Sequence, residues 1–141
     1  MATNTAPPFA RLAQNEWDSA GLLTTANTAK DGTGTVQTIF TSAATDGSFL
    51  ERIIARAVGT NTASVLRIFV NNGSTNTSAA NNKLIAEVSL PATTLTEVAA
   101  QPDVALLMNL RMAAGYKINV TIGTTVAAGW HVSGHGASYT A

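Results

Sequence analysis

Two histidines near the carboxyl end of the chain are the residues best suited to chemistry. His131 and His135 are four residues apart, so an unbroken strand would place both imidazoles on one face. Two imidazoles could begin a metal site, although a third ligand would still be needed. Ser133 and Ser138 lie nearby, but neither sits in the G-x-S-x-G elbow of a serine nucleophile. We therefore interpret the histidines as exposed or hydrogen-bonded and the serines as strand-end residues.

The glycine-rich stretch KDGTGT at residues 30–35 is a second candidate. A phosphate-binding loop of the Walker type places its lysine after the last glycine and before Ser or Thr. Here Lys30 precedes both glycines, and no helix is predicted to follow. Glycine adopts positive φ at little steric cost, which is typical of tight turns. The stretch therefore predicts an exposed hairpin turn, which could also be a contact loop.

The remaining composition argues against several classes of function. The eight acidic residues are scattered and form neither a calcium-binding run nor a recognisable acid–base pair. The chain has no cysteine, which excludes disulfides and thiolate chemistry. Eight basic residues balance the acidic ones, which argues against nucleic-acid and anionic-membrane binding. We predict a protein that is not an enzyme, uses no cofactor or metal, and binds neither nucleic acid nor membrane.

Arginine is used more than lysine, five residues against three. Arginine pairs with carboxylates through two parallel hydrogen bonds and is enriched at protein interfaces. By strand parity, Arg52, Arg56 and Arg67 are expected to line one sheet surface. The alternative is that they lie on ordinary solvated strand faces.

These residues must be positioned by strands, because apolar residues recur with period two along most of the chain. Within residues 49–58, Ile53 and Ala55 share one face. Leu50 falls on the opposite face, with Arg52 and Arg56. Turn residues separate the segments, and eight strands are predicted, near residues 20–26, 34–42, 49–58, 64–71, 83–90, 103–111, 115–122 and 128–138.

The fold class that follows is all-β, a single antiparallel β-sandwich of about eight strands. Eight strands favour a jelly roll, although an immunoglobulin-like strand order stays open. The predicted organisation is an N-terminal arm over residues 1–18 and a sandwich domain over residues 19–141.

The arm contains two consecutive prolines, which restrict the backbone, followed by large apolar side chains. Apolar residues at helix-like spacing indicate a short amphipathic helix, and an extended arm is the equal alternative. Trp17 either anchors a partner or packs under its own sandwich. We expect deletion of residues 1–18 to leave the sandwich folded. The candidate capsid or subunit contacts are Pro7, Pro8, Phe9, Arg11, Leu12 and Trp17.

Two segments between strands carry no apolar alternation. Residues 71–82, NNGSTNTSAANN, are small and polar and predict a mobile surface loop. Residues 91–102 contain Thr94 with Glu97 three positions later, which fits a capping box. This segment is either a short helical turn or an extended crossing between sheets.

Four blocks of the chain resemble a family of small virion proteins from tailed bacteriophages. The blocks are TTANTAKDGTGTVQTIFTSA (24–43), LRIFVNNGS (66–74), SLPATTLTE (89–97) and AGYKINVTIGTTVAAGW (114–130), which are spread over residues 20–138 and cover just under half of them. Residues 111–113 depart from the Leu-Pro-Ala-Gly-Tyr-Lys phrase of that pattern. His131 and His135 are particular to this chain.

The resemblance implies a β-sandwich capsid decoration, or cement, protein that clamps the outside of an icosahedral head. It implies the major capsid protein as partner and a homotrimer as the assembled state. It also implies a location on the virion surface after synthesis in the host cytoplasm. Such proteins bind through broad surfaces, so the resemblance transfers no individual functional residue.

The alternative is a carbohydrate- or receptor-binding sandwich of a phage tail or fibre. A site of that kind presents exposed aromatic rings with polar neighbours. The rings available in the sandwich domain are Tyr116, Trp130 and Tyr139, and the first two fit buried strand positions better.

Overall fold

Eight antiparallel strands form nearly all the regular structure of the described residues. The computed structural model describes residue 10 and residues 12–139. The strands are β1 (Leu12–Leu23), β2 (Gln37–Thr41), β3 (Ser48–Ala57), β4 (Ser64–Asn71), β5 (Asn82–Leu90), β6 (Asp103–Met112), β7 (Lys117–Ile122) and β8 (Trp130–Ser138). One 3-10 turn, Ala79–Asn81, precedes β5. Over the described residues, no helix has both the length and the apolar character needed to span a bilayer.

The strands form two four-stranded sheets packed against each other. Sheet A has the order β1-β8-β3-β6, and sheet B has the order β2-β7-β4-β5. The pairing is nested, since β1 pairs with β8, β2 with β7, β3 with β6 and β4 with β5. This is the order of a long hairpin rolled into two layers, which is a jelly roll. The prediction of an eight-stranded antiparallel sandwich of this type is confirmed.

The core lies between the sheets and is built from the period-two positions. Ile68 of β4 and Val120 of β7 are fully buried, as the alternation predicts. The largest fully buried side chain is Trp130, at the start of β8. Each such side chain contributes about 1.5–3 kcal/mol through burial. Other members of this core are Ile39, Phe40, Leu50, Ile53, Leu66, Leu90, Ile118 and Ile122.

The third strand departs from simple alternation at one point. Leu50 is fully buried, although strand parity placed it on the arginine face. The register of β3 with both neighbours shifts between Leu50 and Arg52, where a β-bulge inserts an extra residue. Because of the extra residue, side chains before the bulge point to the opposite face from the one that simple alternation predicts. The prediction that Leu50 lies on the arginine face was therefore wrong.

The first strand begins much earlier than the sequence pattern indicated. Leu12–Trp17, assigned to the arm, pair residue by residue with β8. The helix-like spacing there was therefore misleading. Polar side chains of β1 turn toward edge strand β2, where the Glu16 carboxylate accepts the Thr41 N–H at 2.7 Å. Asp18 accepts the Thr38 N–H at 2.9 Å. Because these inward positions are polar, β1 shows no apolar alternation.

The long connection between β1 and β2 covers the outer face of sheet B. Ala26 pairs with Ile122 as an isolated parallel bridge, and the Asn27 amide donates to the carbonyls of Thr33 and Thr35. The glycine-rich stretch lies within this cover, and β1 and β2 belong to different sheets. The hairpin prediction was therefore wrong, because the connection crosses between layers.

The cover buries residues that strand parity places on the outside of sheet B. Asn71, Asn119 and Thr121 are each at most 3% exposed. Asn76, from the loop between β4 and β5, donates to the carbonyls of Gly32 and Gly34. That loop, predicted to be mobile, is hydrogen-bonded to the cover and closes with the 3-10 turn before β5.

The segment before β6 crosses between sheets in an extended form. Thr93 pairs with Asn61 through two backbone hydrogen bonds of 2.9 and 3.1 Å. The remainder of residues 91–102 consists of bends and extended chain. Of the two alternatives for this segment, the extended crossing is confirmed.

Candidate functional site

The outer face of sheet A is exposed, in contrast to the covered outer face of sheet B. We call this surface the sheet A face and define it by the outward-facing side chains of four strands. They are Asn15 and Trp17 on β1, His131, Ser133 and His135 on β8, Phe49, Glu51, Arg52, Ile54 and Arg56 on β3, and Asp103, Ala105, Leu107 and Arg111 on β6. Most of these side chains are exposed, and Phe49, Ile54, Ser133 and His135 are half-buried.

Strand register brings residues from distant parts of the chain into two adjacent rows. One row across the sheet consists of Asn15, His135, Arg52 and Leu107, and the next consists of Trp17, Ser133, Ile54 and Ala105. Neighbouring strands are about 4.8 Å apart, so consecutive members of a row are direct neighbours. The two rows therefore place an indole at one edge of the face, beside an imidazole and a guanidinium on the two central strands.

A hydrogen-bonded relay runs across the two rows. The Asn15 Oδ1 atom accepts from His135 Nδ1 at 2.9 Å. His135 Nε2 is then free to accept from the Ser133 hydroxyl, also at 2.9 Å. The relay holds the imidazole in one tautomer and fixes three side chains in place.

The Ser133 hydroxyl donates to His135, as a serine nucleophile donates to its general base. The backbone around Ser133 nevertheless differs from that around a catalytic serine. Strand β8 lies between β1 and β3, so its backbone N–H groups are used in the two ladders. An oxyanion hole needs N–H groups aimed at a reacting oxygen. The flat strand thus favours a positioning role for Ser133 and His135.

The histidines lie on one face of β8, as their spacing predicts. His131 is exposed and lies opposite Arg56 of β3. Within the described chain, no group of three or more His, Asp or Glu side chains is placed to hold a metal ion.

The basic side chains of the face are arginines. Arg56 forms an ion pair with Asp103 at 3.2 Å, and both side chains are at least half exposed. Arg52 and Arg111 are also exposed. All three lysines of the chain lie elsewhere, with Lys30 in the β1–β2 connection, Lys83 on β5 and Lys117 on β7.

Arg67 does not share this surface, so the expectation that it lines one sheet with Arg52 and Arg56 was wrong. It belongs to β4 of sheet B and is 8% exposed beneath the cover. Its guanidinium donates to Glu87 at 2.8 Å and to the Asn27 carbonyl at 3.2 Å. The strand parity was correct, but parity within a strand does not reveal which sheet holds it.

Two of the six predicted contact residues lie on β1, on opposite faces of it. Trp17 is 68% exposed on the sheet A face, so the alternative that it packs under its own sandwich was wrong. Leu12 is 52% exposed and has the opposite parity. Pro7, Pro8, Phe9 and Arg11 lie outside the residues that the structure describes.

Two residues of the face, Asn15 and Leu107, were not predicted from the sequence. Leu107 is 73% exposed, and it is the large apolar residue at the outward positions of β6. The alternation of Val104, Leu106 and Met108 places these residues on the inner face of β6, so the apolar Leu107 between them was predictable from the sequence as an outward-facing residue. Asn15 carried no such signal, because its role depends on pairing with a strand 120 residues later.

Comparisons with known proteins found no match for this chain. No protein-family model matches the chain. No curated protein matches it. No solved structure matches it.

Proposed function

We propose that this protein is a capsid decoration protein of a tailed bacteriophage, made in the host cytoplasm and bound to the outside of the head. The observation that carries the proposal is the contrast between the two sheets. Sheet B is covered by the protein's own chain, whereas sheet A exposes Trp17, Leu107 and three arginines on one surface. A continuous surface of this composition is suited to contact with another protein.

The resemblance to phage decoration proteins supports the proposal and maps unevenly onto the fold. Its blocks fall on the β1–β2 connection, on β2, β4 and β7, and on the crossing before β6. These segments build sheet B and its cover. Most of sheet A lies outside the blocks, so the resemblance concerns the scaffold and the exposed face is this chain's own.

An oligomer, in the proposal a homotrimer, would bind the shell through several copies of one face. The free edges of the two sheets, β5 and β6, carry inward-facing apolar side chains that are only half-buried. Ile85, Val88, Leu106 and Leu110 are among them. Contact between copies along this side would bury them, and linked copies gain avidity on a symmetric shell.

Binding of the purified protein to capsids that lack it tests the proposal. Cryo-electron microscopy of the mixture should show added density on the outer surface of the head, and the mass in solution should be that of three copies. Absence of density on capsids incubated with excess protein would overturn the decoration function. A monomeric mass would overturn only the trimer.

A carbohydrate-binding module of a tail or fibre is the second candidate, and the exposed Trp17 ring favours it. Asn15 and Ser133 lie beside this ring and offer hydrogen-bonding groups to sugar hydroxyls. Glycan-array binding that disappears in Trp17→Ala would support this function. A protein that binds capsids and no glycan would exclude it.

A further inference from the structure

The sheet A face exposes two large apolar side chains that its own fold leaves uncovered. Trp17 is 68% exposed and Leu107 is 73% exposed, and they stand on the two edge strands of the sheet. Half-buried Ile54 and Phe49 lie on the central strand between those edges. Exposed apolar groups grouped on one surface mark a contact site, because covering them is favourable.

Three side chains of this face, those of Asn15, Ser133 and His135, are held by hydrogen bonds before any partner arrives. Asn15 and Ser133 are fixed by their hydrogen bonds to His135. On the other side of β1, Gln14 donates to the Thr41 carbonyl at 2.8 Å and accepts from the Ser48 hydroxyl at 2.7 Å. The strand that carries Trp17 is therefore fastened on both faces, which reduces the entropy lost on binding.

The face carries an excess of positive charge, although the chain as a whole has no net charge. Its arginines, Arg52, Arg56 and Arg111, outnumber its two carboxylates, Glu51 and Asp103. Other carboxylates are engaged away from it, with Glu16 and Asp18 bonded to β2 and Glu87 bonded to Arg67. Among the described residues, Arg56 is the arginine of this face that forms an ion pair. The unpaired guanidinium groups favour an acidic partner.

We infer that the sheet A face is the docking surface of this protein and that it binds an acidic region of the shell protein with apolar recesses for Trp17 and Leu107. This inference rests on the proposed function. Two copies of the chain would bring together faces with the same excess of positive charge, so a second copy is the less suitable occupant. Arginine and tryptophan are the side chains that most often dominate binding energy at protein interfaces.

The charge requirement is tested with the double variant Arg52→Glu/Arg111→Glu. Its matched control is Lys30→Glu/Lys83→Glu, which makes the same change in net charge at exposed positions off the face. Co-sedimentation with capsids lacking the protein should show about a tenfold or greater loss of affinity for the arginine variant. The lysine control should stay within about twofold of the unaltered protein.

The apolar requirement is tested separately with Trp17→Ala and Leu107→Ala. Val98→Ala is the control, because Val98 is 94% exposed in the crossing before β6 and lies off the face. Each variant of the face should lose about tenfold or more in affinity, and the control should not change. Thermal melts check that all variants fold, and Leu107→Ala keeps the test valid if Trp17→Ala weakens β1.

The outcomes separate this inference from the function on which it rests. Capsid binding that is lost in the face variants and kept in both controls supports the inference. Capsid binding that all variants retain overturns it and leaves the decoration function standing. If the unaltered protein does not bind capsids, the decoration function is overturned. If it binds an acidic polysaccharide such as alginate instead, the inferred partner is wrong.

Discussion

Asn61 is a buried side chain that holds three segments together at one end of the sandwich. Its amide group donates to the carbonyls of Gly59 and Gly129 at 3.2 and 3.1 Å. Its Oδ1 atom accepts the N–H groups of Ala128 and Gly129 at 3.0 and 2.7 Å. Asn61 is 4% exposed, so water cannot readily replace it as a partner. One amide thus satisfies four backbone groups in a buried turn region.

Substitution Asn61→Ala should destabilise the protein by about 2–4 kcal/mol, because it leaves buried backbone groups without partners. Urea unfolding measured by circular dichroism gives the free energy of unfolding. The control is Asn72→Ala, whose exposed side chain bonds to Ser74 and Asn81. The control should cost less than about 1 kcal/mol. Equal losses in the two variants would contradict the role assigned to Asn61.

Asp31 caps a turn of the sheet B cover, and its titration reports on that turn. The hydroxyl of Thr33 donates to its carboxylate at 2.7 Å and the Thr33 N–H donates at 3.0 Å. These hydrogen bonds, the hydroxyl first, lower the pKa of Asp31 below its ordinary value. Because the folded-state pKa is lowered, the stabilisation is present above the ordinary carboxyl range and is lost as the pH falls through the lowered pKa.

Substitution Thr33→Val should raise the pKa of Asp31 toward its ordinary value, since it removes the stronger donor and keeps the backbone one. Carboxyl carbon chemical shifts followed by NMR over an acid titration give the pKa. Thr35→Val makes the same change two residues away and should leave the pKa of Asp31 as it is. A pKa that does not move in Thr33→Val would show that the backbone bond alone sets it.

The cover of sheet B depends on a close approach between two loops. Gly32 has φ of +77°, and a Cβ placed there would lie 2.6 Å from the Cβ of Asn82. It would also lie 3.1 Å from the Phe69 ring. The loop therefore needs glycine here both for its backbone conformation and for space.

Substitution Gly32→Ala should lower the free energy of unfolding by about 2–4 kcal/mol, combining backbone strain with a steric clash. Gly115 offers a matched control, because its φ is +74° and nothing lies within 4 Å of the position that an added Cβ would take. Gly115→Ala should therefore cost only the strain, about 1–2 kcal/mol. Chemical denaturation of both variants measures the difference, and equal costs would contradict the close packing of the cover.

The nested pairing of the jelly roll makes the first and last strands depend on each other. β1 completes sheet A by pairing with β8, and its polar side chains seal the gap to β2. The sandwich thus joins its first described strand to its last, so the chain from Leu12 onward is part of the folded unit.

Two deletions test how much β1 contributes to the stability of the sandwich. Removal of residues 1–11 should leave the free energy of unfolding within about 1 kcal/mol, because no strand described here is shortened. Removal of residues 1–18 should cost at least about 3 kcal/mol, since it removes six of the eight β1–β8 residue pairs and the bonds from Gln14, Glu16 and Asp18. Urea unfolding of both forms measures this, and equal stability would contradict the integral role of β1.

The amino-acid sequence by itself determined the strands whose inner faces are apolar. Period-two burial sets the positions of β3 to β8, because a strand exposes alternate side chains to opposite faces. It also determined the fold class, since eight short strands with little helix pattern close most readily into a sandwich. The exception was β1, where polar inward residues removed the pattern.

Only the tertiary structure decided how these strands form a surface. Pairing of β1 with β8 set Asn15 beside His135, and the β3 bulge moved Leu50 into the core. Arg52 and Arg67 have similar local sequence contexts, yet one is exposed on sheet A and the other is buried under the cover of sheet B. Periodicity is a local property of one strand, whereas strand order and coverage depend on contacts between residues distant in sequence.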